Sequence, residues 1–143
     1  MRSRQAGFTL IEIMVVVVIL AILGAMVAPQ ILGRIDEARV TKAKNDLRLY
    51  ESALDLYRMD NFRYPTTDQS LDALVHRPND PNLKNWRSDG YVKQLVKDPW
   101  GHDYVYVAPG TNSAAYDLMS LGADGQVGGT GLDADISVRD LGK

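Results

Sequence analysis

The 143 residues predict an α+β chain: a long N-terminal α-helix, transmembrane in its first half, with a small antiparallel β-sheet packed on its second half. Three observations predict it. An almost unbroken apolar run extends from Phe8 to Ala28. Apolar residues then recur every three or four positions from Val40 to Tyr57. Two strand-like runs near the C-terminus flank a Pro-Gly turn.

Residues 1–7 are short and basic, with Arg2 and Arg4, and end in Ala6-Gly7. The apolar run that follows is interrupted only by Thr9, Glu12 and Gly24. Roughly 20 helical residues at ~1.5 Å each cover ~30 Å, the hydrocarbon thickness of a bilayer. Arg2 and Arg4 just ahead of it favour a cytoplasmic N-terminus. A cleaved secretory signal would need a shorter apolar core with the small-residue cleavage site after it. Here the small residues precede the core, and Glu12 lies inside it.

Pro29 and Gly33 follow the span. A proline inside a helix costs about 3 kcal/mol, so a kink or local melting between Gly24 and Pro29 is expected. Val40, Ala43, Leu47, Tyr50, Leu54 and Tyr57 then form one helical face, with Lys42, Lys44, Asp46, Arg48 and Asp55 mostly on the others. One helix is expected from about Phe8 to about Asp60. Tyr64-Pro65 reads as extended chain. Thr66 with Gln69 forms a capping box ahead of a short helix bearing Leu71, Leu74 and Val75. The segment from His76 to Asp89 reads as loop, Tyr91 to Val96 as a helical turn or short extended piece, and Asp98-Pro99-Trp100-Gly101 as a turn. Strands are expected at Asp103–Ala108 and Ala114–Ser120, joined through Pro109-Gly110-Thr111-Asn112, with a last short strand at Ile136–Val138. The domain division is a leader at 1–7, a span at 8–28 and a globular part at 29–143.

Composition excludes several function classes. With no cysteine there is no disulfide, thiolate metal site or cysteine nucleophile. A net charge of −2 gives no reason to expect nucleic acid as a partner. No nucleophile motif surrounds a serine, and the glycines form no phosphate-binding loop. His76 and His102 stand singly and read as surface residues or local hydrogen-bond partners.

Two motifs carry chemistry. In Gly7-Phe8-Thr9-Leu10-Ile11-Glu12, a carboxylate enters hydrocarbon, where it costs several kcal/mol unless neutralised or paired. No base within the span can pair with it. A cut between Gly7 and Phe8 would create an ammonium on Phe8 about one turn away, able to meet Glu12 of the same chain or of a neighbour. The bland alternative is a spanning helix with one snorkelling or protonated acid. The second motif is the loop 121–135, with Gly122, Gly125, Gly128, Gly129 and Gly131 for turning freedom and Asp124, Asp133 and Asp135 as carboxylates. Calcium takes six to eight such oxygens, while a plain flexible loop with Asp-Gly turns has the same composition.

Gly-Phe-Thr-Leu-Ile-Glu before an apolar helix resembles the leader and core of type IV pilin-like proteins. That resemblance implies cleavage after Gly7 by prepilin peptidase, N-methylation of Phe8, and Glu12 as the assembly carboxylate. The later motifs Tyr64-Pro65-Thr66-Thr67, Asp98-Pro99-Trp100-Gly101, Ser120-Leu121-Gly122-Ala123-Asp124-Gly125 and Asp133-Ala134-Asp135-Ile136 resemble the major pseudopilins of type II secretion systems. The resemblance implies a non-enzymatic subunit that polymerises into a periplasmic pseudopilus driving export of folded proteins. It implies an inner-membrane anchor with a periplasmic globular part. Its implied partners are copies of itself, minor pseudopilins, the assembly platform and the peptidase/N-methyltransferase. It also implies one calcium ion in the loop, held by the side chains of Asp124 and Asp133 and the carbonyls of Leu121 and Gln126. Leu132, through its carbonyl, and Asp135 are further candidates. Two other readings are a type IV pilin of a surface filament and a non-polymerising single-span calcium-binding protein.

Overall fold

The computed structural model describes residues 7–142, and for residues 28–32 the backbone alone. The leader expected at 1–7, with Arg2 and Arg4, lies outside the described residues except for Gly7. The chain divides into two compact units, Met1–Glu37 and Ala38–Lys143, each described by itself.

One helix, α1 (Leu10–Asn61), contributes to both units. Helical structure continues through Pro29, so the local melting expected between Gly24 and Pro29 is absent. A single missing N–H removes one bond from a helix of 52 residues whose flanking turns remain closed. In the first unit, the stretch Leu10–Val27 has a mean hydropathy of 3.0 and none of it is buried.

In the second unit the apolar stripe of α1 becomes core. Ala43, Leu47, Tyr50, Leu54 and Tyr57 are buried, and Val40 is half-buried at the end of the stripe. Leu71, Leu74, Leu83, Tyr106 and Leu118 complete the cluster. Tyr50 and Tyr104 pack edge-on with ring centres 5.4 Å apart, a favoured aromatic geometry.

The sheet has three antiparallel strands in the order β1-β2-β3, namely β1 (Val105–Val107), β2 (Asp117–Ser120) and β3 (Ile136–Ser137). Tyr106 opposes Leu118, and Ser120 opposes Ile136. All three strands are shorter than expected. β1 stops at Val107 because Ala108 pairs with Thr67 instead: its N–H donates to Thr67 Oγ1 at 2.9 Å and its carbonyl accepts from that hydroxyl at 3.0 Å. β2 starts late because 111–113 form a 3₁₀ turn in which Asn112 and Ser113 have φ of 52° and 63°. β3 ends at Ser137, whose hydroxyl caps a following 3₁₀ turn, Val138–Asp140.

The Thr66–Gln69 capping box forms reciprocally, at 3.1 and 3.3 Å. It caps a turn, however, and not the expected α-helix. Ser70 adopts φ 52°, which diverts the chain before a single 3₁₀ turn, Leu71–Leu74. Val75 caps that turn and is half-buried. Tyr91–Val96 is neither strand nor helix. Its last residue is held by a side chain: Val96 N–H donates to Tyr50 Oη at 2.8 Å.

Candidate functional site

Two places concentrate unusual chemistry, the start of α1 and the connection between β2 and β3. At the first, Thr9 stands one residue before the helix. Glu12 N–H donates to Thr9 Oγ1 at 3.3 Å, and Thr9 N–H donates to Glu12 Oε2 at 3.4 Å. This is a capping box that satisfies two otherwise unpaired amides. It also places the carboxylate at the positive end of the helix dipole. From the sequence alone Glu12 is read without Thr9 as its partner; the signal that finds Thr9 is the Thr-x-x-Glu spacing. Phe8 is 79% exposed, and among the described residues no group beyond its chain neighbours lies within 4 Å of where a Gly7 side chain would begin.

The second place is the long connection 121–135 of the β2–β3 hairpin. Its two limbs are tied together: Ala123 N–H donates to the Leu132 carbonyl at 2.9 Å, and Asp135 N–H donates to the Gly128 carbonyl at 3.1 Å. Two glycines are required by close approach. At Gly129 (φ 78°) a Cβ would lie 2.3 Å from the Asp133 carbonyl oxygen, and at Gly122 (φ 66°) it would lie 2.7 Å from the same atom.

The acidic side chains differ in role. Asp124 Oδ1 accepts from Gln126 N–H at 3.0 Å in a local turn, and the residue is exposed. Asp133 is also exposed, on the limb facing Gly122. Asp135 Oδ2 accepts from Gly128 N–H at 2.9 Å, while its Oδ1 is buried with no hydrogen-bond partner. Among the described residues, no three His, Asp or Glu side chains are placed to hold a metal together. A cation here would therefore take two carboxylates at most and draw its remaining oxygens from carbonyls. The donors named within the loop are all oxygen, and an orphaned buried carboxylate oxygen is present. That set fits calcium and does not fit a softer metal. The Leu132 carbonyl already accepts one hydrogen bond and keeps a single lone pair.

Both histidines have local partners. His76 Nδ1 lies 2.8 Å from Asp72 Oδ1 on the surface. His102 lies under the loop, with Nδ1 3.2 Å from the Gly122 carbonyl.

Comparison with known proteins gives two family matches. A family model described as "Type II secretion system (T2SS), protein G" matches residues 30–139, and one described as "Prokaryotic N-terminal methylation motif" matches residues 2–28. The chain is 58% identical over 136 residues to a type II secretion system core protein G of Pseudomonas aeruginosa, covering 94% of this chain and 95% of the relative. It is 53% identical over 133 residues to one of Vibrio cholerae, covering 93% and 90%. Among solved structures it resembles the major pseudopilin from the type 2 secretion system of enterohaemorrhagic Escherichia coli. That match has a TM-score of 0.64 and 43% identity, covering 78% of this chain and 94% of that one.

Proposed function

The chain belongs to the type II secretion system protein G family, the major pseudopilins, and from that premise we propose how its two unusual places work. It is a membrane-anchored, polymerising component of a secretion system. The observation that carries the mechanism is Leu10–Val27: a helical stretch of bilayer length, fully apolar except for one acid, and unburied by its own chain. Such a surface needs either lipid or other helices around it.

In the proposed sequence, the helix first spans the inner membrane with the globular part on the periplasmic side. Prepilin peptidase cuts between Gly7 and Phe8, and the new Phe8 terminus is methylated. Subunits then leave the lipid and pack their Phe8–Ala28 segments against one another. Glu12 meets the Phe8 ammonium of a neighbour, which sets the axial register of the filament. Minor pseudopilins and the assembly platform start and drive this growth, which pushes folded proteins outward. The chain works as a subunit and not as a catalyst.

Calcium has a structural place in this reading. The side chains of Asp124 and Asp133 and the carbonyls of Leu121 and Gln126 would hold it, with the Leu132 carbonyl, or Asp135 in place of one of the two carboxylates, as the other candidates. When bound, it supplies a crosslink between the two limbs of the loop. Asp135 meanwhile holds Gly128 from within the chain.

The intact mass of the mature chain from cells with active prepilin peptidase tests the processing step. A chain beginning at methylated Phe8 is expected, and an intact Met1 terminus would refute it. Thermal unfolding of the full chain in detergent, with and without chelator, tests the cation. The melting temperature should fall on chelation, and no change would remove calcium from the reading.

A further inference from the structure

Beside the loop lies a polar cluster centred on two buried side chains, Asp98 and Ser120. Asp98 is 4% exposed and Ser120 is 0% exposed. A carboxylate this deeply buried is tolerated only when well hydrogen-bonded. Asp98 Oδ1 accepts from the N–H groups of Trp100 at 3.1 Å and His102 at 2.8 Å. Its Oδ2 accepts from Ser120 Oγ at 2.7 Å and lies 3.9 Å from His102 Nδ1. Ionised, Asp98 can only accept, so the Ser120 hydroxyl must spend its one proton on it. The lone pairs of Ser120 Oγ are thereby turned to Gly122 N–H, which donates to it at 3.3 Å. The other end of Gly122 is also held, because its carbonyl accepts from His102 Nδ1–H at 3.2 Å.

The peptide joining Leu121 to Gly122 contains the Leu121 carbonyl and the Gly122 N–H. In a trans peptide these two groups point in opposite directions. Drawing the N–H inward to Ser120 turns the Leu121 carbonyl the other way. We infer that Asp98 and Ser120 are positioning residues for a cation in the loop, fixing the Leu121 carbonyl before the ion arrives. The inference rests on the calcium reading above. It assigns a role to the Asp-Pro-Trp-Gly turn, which lies outside the loop in sequence: its carboxylate orients a hydroxyl, and the hydroxyl orients a ligand peptide.

Calcium chloride titration of the full chain in detergent, followed by calorimetry, tests this. Ser120→Ala removes the acceptor for Gly122 N–H and should raise the calcium Kd by roughly tenfold, the worth of about one hydrogen bond. Asp98→Asn keeps the shape but aims an amide donor at Ser120 Oγ, and should weaken binding similarly. Ser120→Thr keeps the hydroxyl and should bind within about twofold of the parent. Leu83→Ala, in the core, serves as a destabilised reference whose Kd should not move. The inference is overturned if Ser120→Ala and Asp98→Asn shift Kd no more than Leu83→Ala does. It is equally overturned if Ser120→Thr binds as weakly as Ser120→Ala. A parent chain that does not bind calcium would overturn the calcium reading itself, and that result is distinguishable because it appears before any variant is made.

Discussion

Replacing Glu12 by glutamine separates two roles that the start of α1 combines. The carboxylate accepts from Thr9 N–H within its own helix, and the proposed assembly step requires it to meet a neighbour's ammonium. Glutamine serves as well as glutamate in a capping box, so Glu12→Gln keeps the cap and removes only the charge. The cap is worth about 0.5–2 kcal/mol and acts within the first turn. The lost pairing is larger. Two unit charges about 4 Å apart at an effective dielectric of about 20 attract by about 4 kcal/mol, close to a thousandfold in the equilibrium for adding one subunit. Glu12→Gln should therefore be processed at Gly7–Phe8 and fractionate with membranes like the parent, yet yield almost no filaments in a shearing and cross-linking assay. Thr9→Ala does the reverse: it drops the hydroxyl of the cap, keeps the charge, and should still assemble. If Glu12→Gln forms filaments normally, or if Thr9→Ala abolishes them as fully as Glu12→Gln, the charge has no assembly role.

Other perturbations address the globular unit. Leu54 is fully buried on the core face of α1, so Leu54→Ala should cost about 2–5 kcal/mol through lost burial and the cavity left behind. Circular dichroism melting should show a drop of roughly 10 °C or more, and a drop under 3 °C would place Leu54 outside the core. Asp117 is held below the usual carboxylate range chiefly by the Thr111 N–H, 2.7 Å from Oδ2, with a further pull from Arg139. Asp80, through Asn82 N–H and then Arg63, and Asp60, through Arg87, are lowered likewise. A depressed folded pKa adds stability that is present above the unfolded value and lost as pH falls through the folded one. The melting temperature should thus be flat above about pH 5 and fall below about pH 4. Asp117→Asn should flatten part of that acid slope, and an unchanged slope would contradict the assignment. Gly129→Ala should lose the loop's calcium response while β1 and β2 stay folded, because a Cβ there would lie 2.3 Å from the Asp133 carbonyl oxygen. Retention of that response in a chelator melt would show that the limb can shift.

What was legible in the sequence was whatever repeats at a fixed period. The spacing of Ala43, Leu47, Tyr50, Leu54 and Tyr57 announces a buried helical face, and all five are buried. The alternation of Tyr104 and Tyr106 with valines likewise announces a strand with one inward face, and both tyrosines point in. Connections made by single side chains across long separations were not legible. Nothing local in Tyr91–Val96 says that Tyr50, 46 residues earlier, will supply the hydrogen bonds a strand partner would have supplied. Ser70 carries no signal that its φ will be positive, yet that turn decides between an α-helix and a 3₁₀ turn. In the loop, composition points to the acidic residues, but folding divides them: Asp135 holds Gly128 across the loop, while Asp124 bonds only its local turn and both it and Asp133 are exposed. The Thr9 cap is legible in the Thr-x-x-Glu spacing itself, and the same carboxylate that caps the helix is the one that is costly in hydrocarbon.

The sheet's borders bear on a hazard particular to a protein that must polymerise. A chain concentrated enough to build filaments through one surface is concentrated enough to aggregate through another, and an open strand edge is a ready template for that. The two outer strands are only three and two residues long. The outer strand β1 is stopped at Ala108, whose N–H and carbonyl are both taken by the Thr67 hydroxyl. At the opposite border, β3 turns at once into a 3₁₀ turn. With the strand borders blunted in this way, strand-by-strand stacking has little to start from, and the exposed apolar helix is left as the surface on which the proposed assembly depends.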